Sequence, residues 1–174
     1  MATVTRSGVA GERRLDVRAT RDRDLLHRFL SRDRVFAGYA IADTDDREFG
    51  RTRWGVASED GEPIAVVLEY RGISPQPLFV MGDPDGIAAI LRTTIRTRIA
   101  YLAAKPESVS AVREVYRVEG PAPMVRMVVD RATFRPVLGE AVRLDQADTH
   151  HLNRLDRLGL NSWLPAEAVA AGIY

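Results

Sequence analysis

PLFVMGDPDGIAAILRTT, Pro77–Thr94, is the stretch whose reading decides the fold. Leu78–Met81 reads as a short, wholly apolar strand. After it Ile87, Ile90, Leu91 and Ile95 recur at i, i+3, i+4 and i+8, the spacing of one buried helix face. The corner between them places Asp83 at the expected N-cap and Pro84 at the first helical position. A helix N-terminus offers backbone N–H groups and the positive end of its dipole, which favours anions. Here Asp83 and Asp85 compete for those donors, and Pro84 has none to give. The corner invites a phosphate but is built to exclude one.

On the N-terminal side, residues 1–13 read as a mobile tail and Leu15–Thr20 as a short alternating strand. Asp22 or Asp24 is placed to cap the helix LLHRFLSRD, which aligns Leu25, Leu26, Phe29 and Leu30 on one face and turns His27 away. A second short helix is expected at Val35–Ala42, and the acidic run Asp43–Glu48 reads as loop. Thr52–Ser58 and Ile64–Ser74 are strands, joined antiparallel through the hairpin signal Asp60-Gly61. Beyond the corner, Arg98–Ala104 reads as a buried strand. Pro106 then opens the helix PESVSAVREVYRVE, with Val109, Val112, Val115 and Tyr116 inward. Met124–Val129 is the expected last strand. The order is β-α-α-β-β-β-α-β-α-β, an α+β arrangement with a mixed, mostly antiparallel sheet and helices on both faces.

After Gly139 the pattern restarts. Ala141–Leu144 reads as a strand, Asp148 as the cap of THHLNRLDRLG, and Pro165 as the start of AEAVAAG. The expected organisation is a complete domain over 14–135 and the β-α-α opening of a second over 140–174. A further strand is due where the chain ends at Tyr174.

Composition narrows the function classes. The chain has 174 residues, 45% hydrophobic, enough for one good core. Of its 25 basic residues 24 are arginine, yet the net charge is only +1, which argues against a nucleic-acid-binding surface. Cysteine is absent, which removes disulfides, thiol catalysis and thiolate metal sites. With no apolar leader segment and no run long enough to span a bilayer, a cytoplasmic location without membrane attachment is expected.

The element order, together with VRATRDRDLLHRFL, PLFVMGDPDGIAAILRTT, AVREVYRV and VRLDQADTHHLNRLDRLG with LPAEAVAAGIY, resembles the GNAT superfamily of N-acetyltransferases, in particular its tandem members. The resemblance implies acetyl-CoA as cofactor, bound along Phe79, Val80, Met81, Gly82, Gly86 and Ile87, with a small-molecule amine as acceptor. It also implies a tyrosine acid, which falls on Tyr116 of AVREVYRV. The alternative for Tyr116 is a ring packed in the core with its hydroxyl at the rim. The family's phosphate loop, R/Q-x-x-G-x-G/A, is replaced here by Gly82-Asp83-Pro84-Asp85-Gly86. Weak or absent coenzyme binding is therefore expected.

Other constellations are thinner. Asp148 and His151, at i and i+3, could share a metal-facing side with His150 near, but a solvated capped helix explains them as well. The carboxylates of Asp43, Asp45, Asp46 and Glu48 read as a solvated charge run. Trp54 reads as core, and Trp163 as an anchor between lobes. Two function classes follow. One is the non-catalytic N-terminal lobe of an acetyltransferase-type protein, and the other is a ligand-binding or dimerisation module. An exposed half-domain needs covering, so a homodimer is expected.

Overall fold

The computed structural model describes residues 14–120, 123–136, 139 and 144–159. The chain divides into two compact units at Val128/Val129. Strands β1 (Asp16–Thr20), β2 (Thr52–Glu59), β3 (Glu62–Tyr70), β4 (Gln76–Gly82) and β5 (Ala100–Ala103) form one sheet in sequence order. All neighbours pair antiparallel except β4 and β5, which run parallel from Gln76↔Ala100 to Phe79↔Ala103. This is the mixed, mostly antiparallel α+β arrangement that the sequence predicts. The β2–β3 turn takes positive φ at both Asp60 and Gly61, as a two-residue hairpin requires.

Helices cover both faces because the strands alternate. Trp54, Val56, Val66, Leu68 and Phe79 point to one face, where Leu25, Leu26, Phe29 and Leu30 of α1 (Arg23–Leu30) and Ala40 of α2 (Gly38–Ala42) pack with Phe49 of α3 (Asp46–Phe49). Ala57, Ala65, Val67, Leu78 and Val80 point to the other, beneath α4 (Pro84–Thr93) and α5 (Val109–Arg113). Asp22 is the cap of α1, its carboxylate accepting from Leu25 N–H at 2.9 Å.

Several expectations are corrected. The acidic run is not all loop, because Asp45 caps α3 by accepting from Arg47 N–H. Strand β5 is shorter than predicted and lies at the sheet edge rather than in the core, with Tyr101 65% exposed. The helix expected from Pro106 through Glu119 begins as a 3₁₀ turn, Pro106–Ser108, and α5 ends at Arg113, so Tyr116 lies beyond it. Residues 124–129 form no strand. Met124 and Met127 are more than 90% exposed, and a strand with no ladder partner gains nothing from its β-prone residues. Among the described residues, Arg126 ties this segment down by donating to the carbonyls of Val35 and Phe36.

In the second unit, Asp145 caps the 3₁₀ turn Gln146–Asp148, and Asp148 stands directly before the helix that follows. Asp145 accepts from Ala147 N–H, Asp148 accepts back from Asp145 N–H at 2.9 Å, and α6 (Thr149–Gly159) follows. The expected tail at 1–13, residues 141–143 of the predicted strand, Trp163 and the helix after Pro165 lie outside the described residues.

Candidate functional site

The corner between β4 and α4 is built from its own carboxylate and from β3. Asp83, in extended backbone, accepts from Gly86 N–H at 3.1 Å and so takes the donor that a bound anion would need. Asp83 N–H donates to Ile64 O at 2.8 Å, and Ile87 N–H donates to Asp83 O at 2.9 Å in the ordinary helical pattern. Pro84 brings no donor.

Both glycines of the corner have a packing reason. Gly82 has φ +112°, and a Cβ there would run into Ile64 O and lie 2.7 Å from Ala65 Cα. A Cβ on Gly86 would lie 2.8 Å from Ala65 Cβ. The missing side chains let the corner seat directly on β3. They do not open a cradle toward solvent, and the residues at 82–86 do not fit a pyrophosphate.

The other coenzyme-facing residues implied by the resemblance are distributed over the two cores. Phe79 stacks against Phe36, ring centroids 4.9 Å apart, and Met81 packs on the same face. Val80 and Ile87 are fully buried on the opposite face. These side chains are committed to holding helices on the sheet.

Tyr116 stands away from the corner. Its hydroxyl donates to Thr97 O at 2.7 Å, in the connection after the far end of α4. A ten-residue helix rises about 15 Å, which separates the corner from the turn that Tyr116 holds. Burial raises the phenol above its ordinary value and the Glu69 carboxylate adds to the effect. Glu69 itself is buried on β3, with Arg53 Nε 3.7 Å from its Oε2, an atom that has no hydrogen-bond partner. Thr97 Oγ1 donates to Gln76 Oε1 at 2.9 Å nearby. A polar group thus closes this end of the second face.

The remaining candidates are engaged locally. Glu48 accepts from Tyr70 O–H at 2.6 Å, and Arg23 pairs with Asp46. Trp54 is buried, its Nε1–H donating to Thr52 Oγ1 at 2.8 Å. Asp148 is turned to the Asp145 amide, while the His150 and His151 rings lie against each other at 3.8 Å. Among the described residues no three metal-binding side chains come together, and no helix is long and apolar enough to cross a membrane.

The sequence reading missed a cluster at the other end of the sheet. Arg21, Arg53 and Arg71 come together there from the ends of β1, β2 and β3. They are 32 and 18 residues apart in sequence, so no local motif could announce them. The chain matches no protein-family model, and no curated protein or solved structure shows a significant similarity to it.

Proposed function

We propose that this chain is a non-catalytic domain of GNAT-like architecture, the N-terminal lobe of an acetyltransferase-type protein. The corner carries this reading. At the position where such a domain would cradle the pyrophosphate of acetyl-CoA, the donors of Gly86 and Asp83 are taken within the chain and the glycines are packed on β3. In this reading Tyr116 is a clamp between the residues after α5 and the α4–β5 connection, since its proton is held by a main-chain carbonyl. Acetyl transfer to an amine then belongs to another lobe.

Calorimetric titration of acetyl-CoA tests the reading. We expect no saturable binding below about 1 mM, weaker than about −4 kcal/mol, and no acetyl transfer by the chain alone. Micromolar binding that moves the amides at 83–86 overturns it.

A second reading, a dimerisation module, is favoured by residues 124–129 and by β5. The segment is β-prone and exposed, and β5 is the outer strand of the sheet. Exchange of the segment between two copies would supply each with its sixth strand, in a homodimer. Light scattering across a concentration series tests it, with a dimer expected. A monomer at every concentration removes this reading and leaves the first intact.

A further inference from the structure

Beyond the acetyltransferase-like reading and independent of it, the sheet end opposite the corner carries a basic hollow. The corner sits beside Ile64 and Ala65 near the start of β3. Arg71 follows the last residue of that strand, about 20 Å away at the rise of extended chain. There Arg21, Arg53 and Arg71 line a hollow of about 270 Å³ with Thr20, Thr52 and Trp54.

The guanidinium groups are held, and only that of Arg53 faces a carboxylate among the described residues. Arg21 lies over the Phe49 ring at 4.1 Å, and one of its terminal nitrogens donates to Phe49 O and Thr52 O, at 3.1 and 3.2 Å. Its remaining N–H groups have no partner among the described residues. The exposed Arg71 makes no ion pair among them, while its backbone N–H is fixed on Arg51 O at 2.7 Å. Arg53 faces the buried Glu69 across 3.7 Å, longer than a hydrogen bond. Thr52 Oγ1 donates to Phe49 O and accepts from Trp54 Nε1–H, a buried chain of bonds that ties the start of β2 to the end of α3.

We propose that this hollow binds phosphate, either free or as the monoester of a small compound. The three guanidiniums and the one buried carboxylate leave a surplus of two positive charges, which matches a phosphate dianion. Donors arriving from three strand ends suit a tetrahedral oxyanion better than a planar carboxylate, which a single guanidinium already satisfies through two parallel bonds. The volume lies just below the range of drug-sized pockets, about 300–1,000 Å³, and so admits a phosphate with a few further atoms.

The test is a titration of the full chain at low salt with inorganic phosphate, glycerol phosphate and acetate, followed by backbone amide NMR shifts. Saturable shifts are expected at residues 20, 21, 52–54 and 71, with half-saturation below about 1 mM for phosphate or its ester, and none at 83–86. The tighter of the two names the source. Arg71→Ala should weaken binding at least about fivefold and Arg71→Lys less, because lysine keeps the charge but loses the fork. Arg71 is exposed and outside the strands, so its variants should keep the fold, and the wild-type shift map stands without them. Acetate binding as tightly as phosphate, shifts scattered without saturation, no shifts, or unchanged affinity in Arg71→Ala overturns the proposal. Coenzyme A held only through its phosphates at this hollow would move 52–54 and 71 but not 83–86. That result would leave the reading of the corner standing.

Discussion

The two ends of β3 answer the same question in opposite ways. At its start, the β4–α4 corner has the local sequence of an anion site, a strand turning into a helix through glycines. Its Asp83 and Gly86 amides are nevertheless bonded to Ile64 O and to the Asp83 carboxylate. At its end, three arginines without any motif gather around an open hollow with Arg71 unpaired among the described residues. Binding capacity follows from which donors remain after folding has satisfied its own polar groups, not from which donors the sequence contains.

The strongest attack on this comparison is at Gly82. If its role is to seat the corner on β3, Gly82→Ala must both adopt φ +112° and push a Cβ into Ile64 O. Backbone conflict of this kind cannot relax by rotating a side chain. We expect a loss of about 3 kcal/mol or more, read by urea denaturation. A loss under about 1 kcal/mol would show that the corner has room to move, and its exclusion of a phosphate would need another cause.

Asp43 offers a contrast to Asp83, because its carboxylate is buried beside another acid instead of satisfying a helix N-terminus. It closes the C-terminus of α2, where the helix dipole disfavours a negative charge. Burial, and then the neighbouring Glu48, push it up to about 6 from an ordinary 3.8. The folded chain therefore holds this proton more tightly than the unfolded chain. Stability from this group is present below about pH 4 and declines as pH rises to about 6. Asp43→Asn should thus stabilise by about 1–2 kcal/mol at pH 7, after a discount for solvent screening, and by nothing near pH 3.5. Thermal melts at both pH values check the sign. Destabilisation at pH 7 would mean that the charged form makes a favourable contact.

Asp83→Ala probes the corner from the ligand's side. Loss of the cap should cost about 1 kcal/mol in thermal or urea denaturation. Coenzyme binding should not appear, because Pro84 and the packed glycines remain. If titration of the variant gives micromolar binding, one carboxylate was the whole barrier, and the two ends of β3 differ by a single residue.

How much of this was legible follows the same line. The apolar period after Asp83, the Asp60-Gly61 turn and the alternation of β2 and β3 are local signals, and with signals of this kind a predicted strand overlaps each of the five strands of the sheet, β5 being shorter than predicted. The C-terminal strand failed because a strand is completed by a neighbour, and the β-prone residues at 124–129 have none in the sheet. Val109, Val112 and Val115 continue the helical period up to Tyr116, although α5 ends at Arg113. Asp83 and Pro84 could be read as blocking the corner, since capping is a contact across three residues. Arg21, Arg53 and Arg71 could not be read as a set, since only the sheet register brings them together.

Tyr116→Phe gives the smallest effect and separates two roles of the polar group under α4. The phenol donates one hydrogen bond to Thr97 O, half-buried, so its removal should cost about 1 kcal/mol or less. The ring remains to pack on the second face, and the Arg53–Glu69 pair keeps its geometry. Phosphate affinity at the hollow should therefore be unchanged within about twofold, a difference of about 0.4 kcal/mol. Parallel denaturation and phosphate titration read both quantities. Unchanged affinity with slightly reduced stability fits a clamp. A large fall in affinity would instead show that the phenol, through the buried Glu69 beside it, sets how much of Arg53's charge faces the hollow, and the two ends of the sheet would then be distinguished by one buried carboxylate as much as by three arginines.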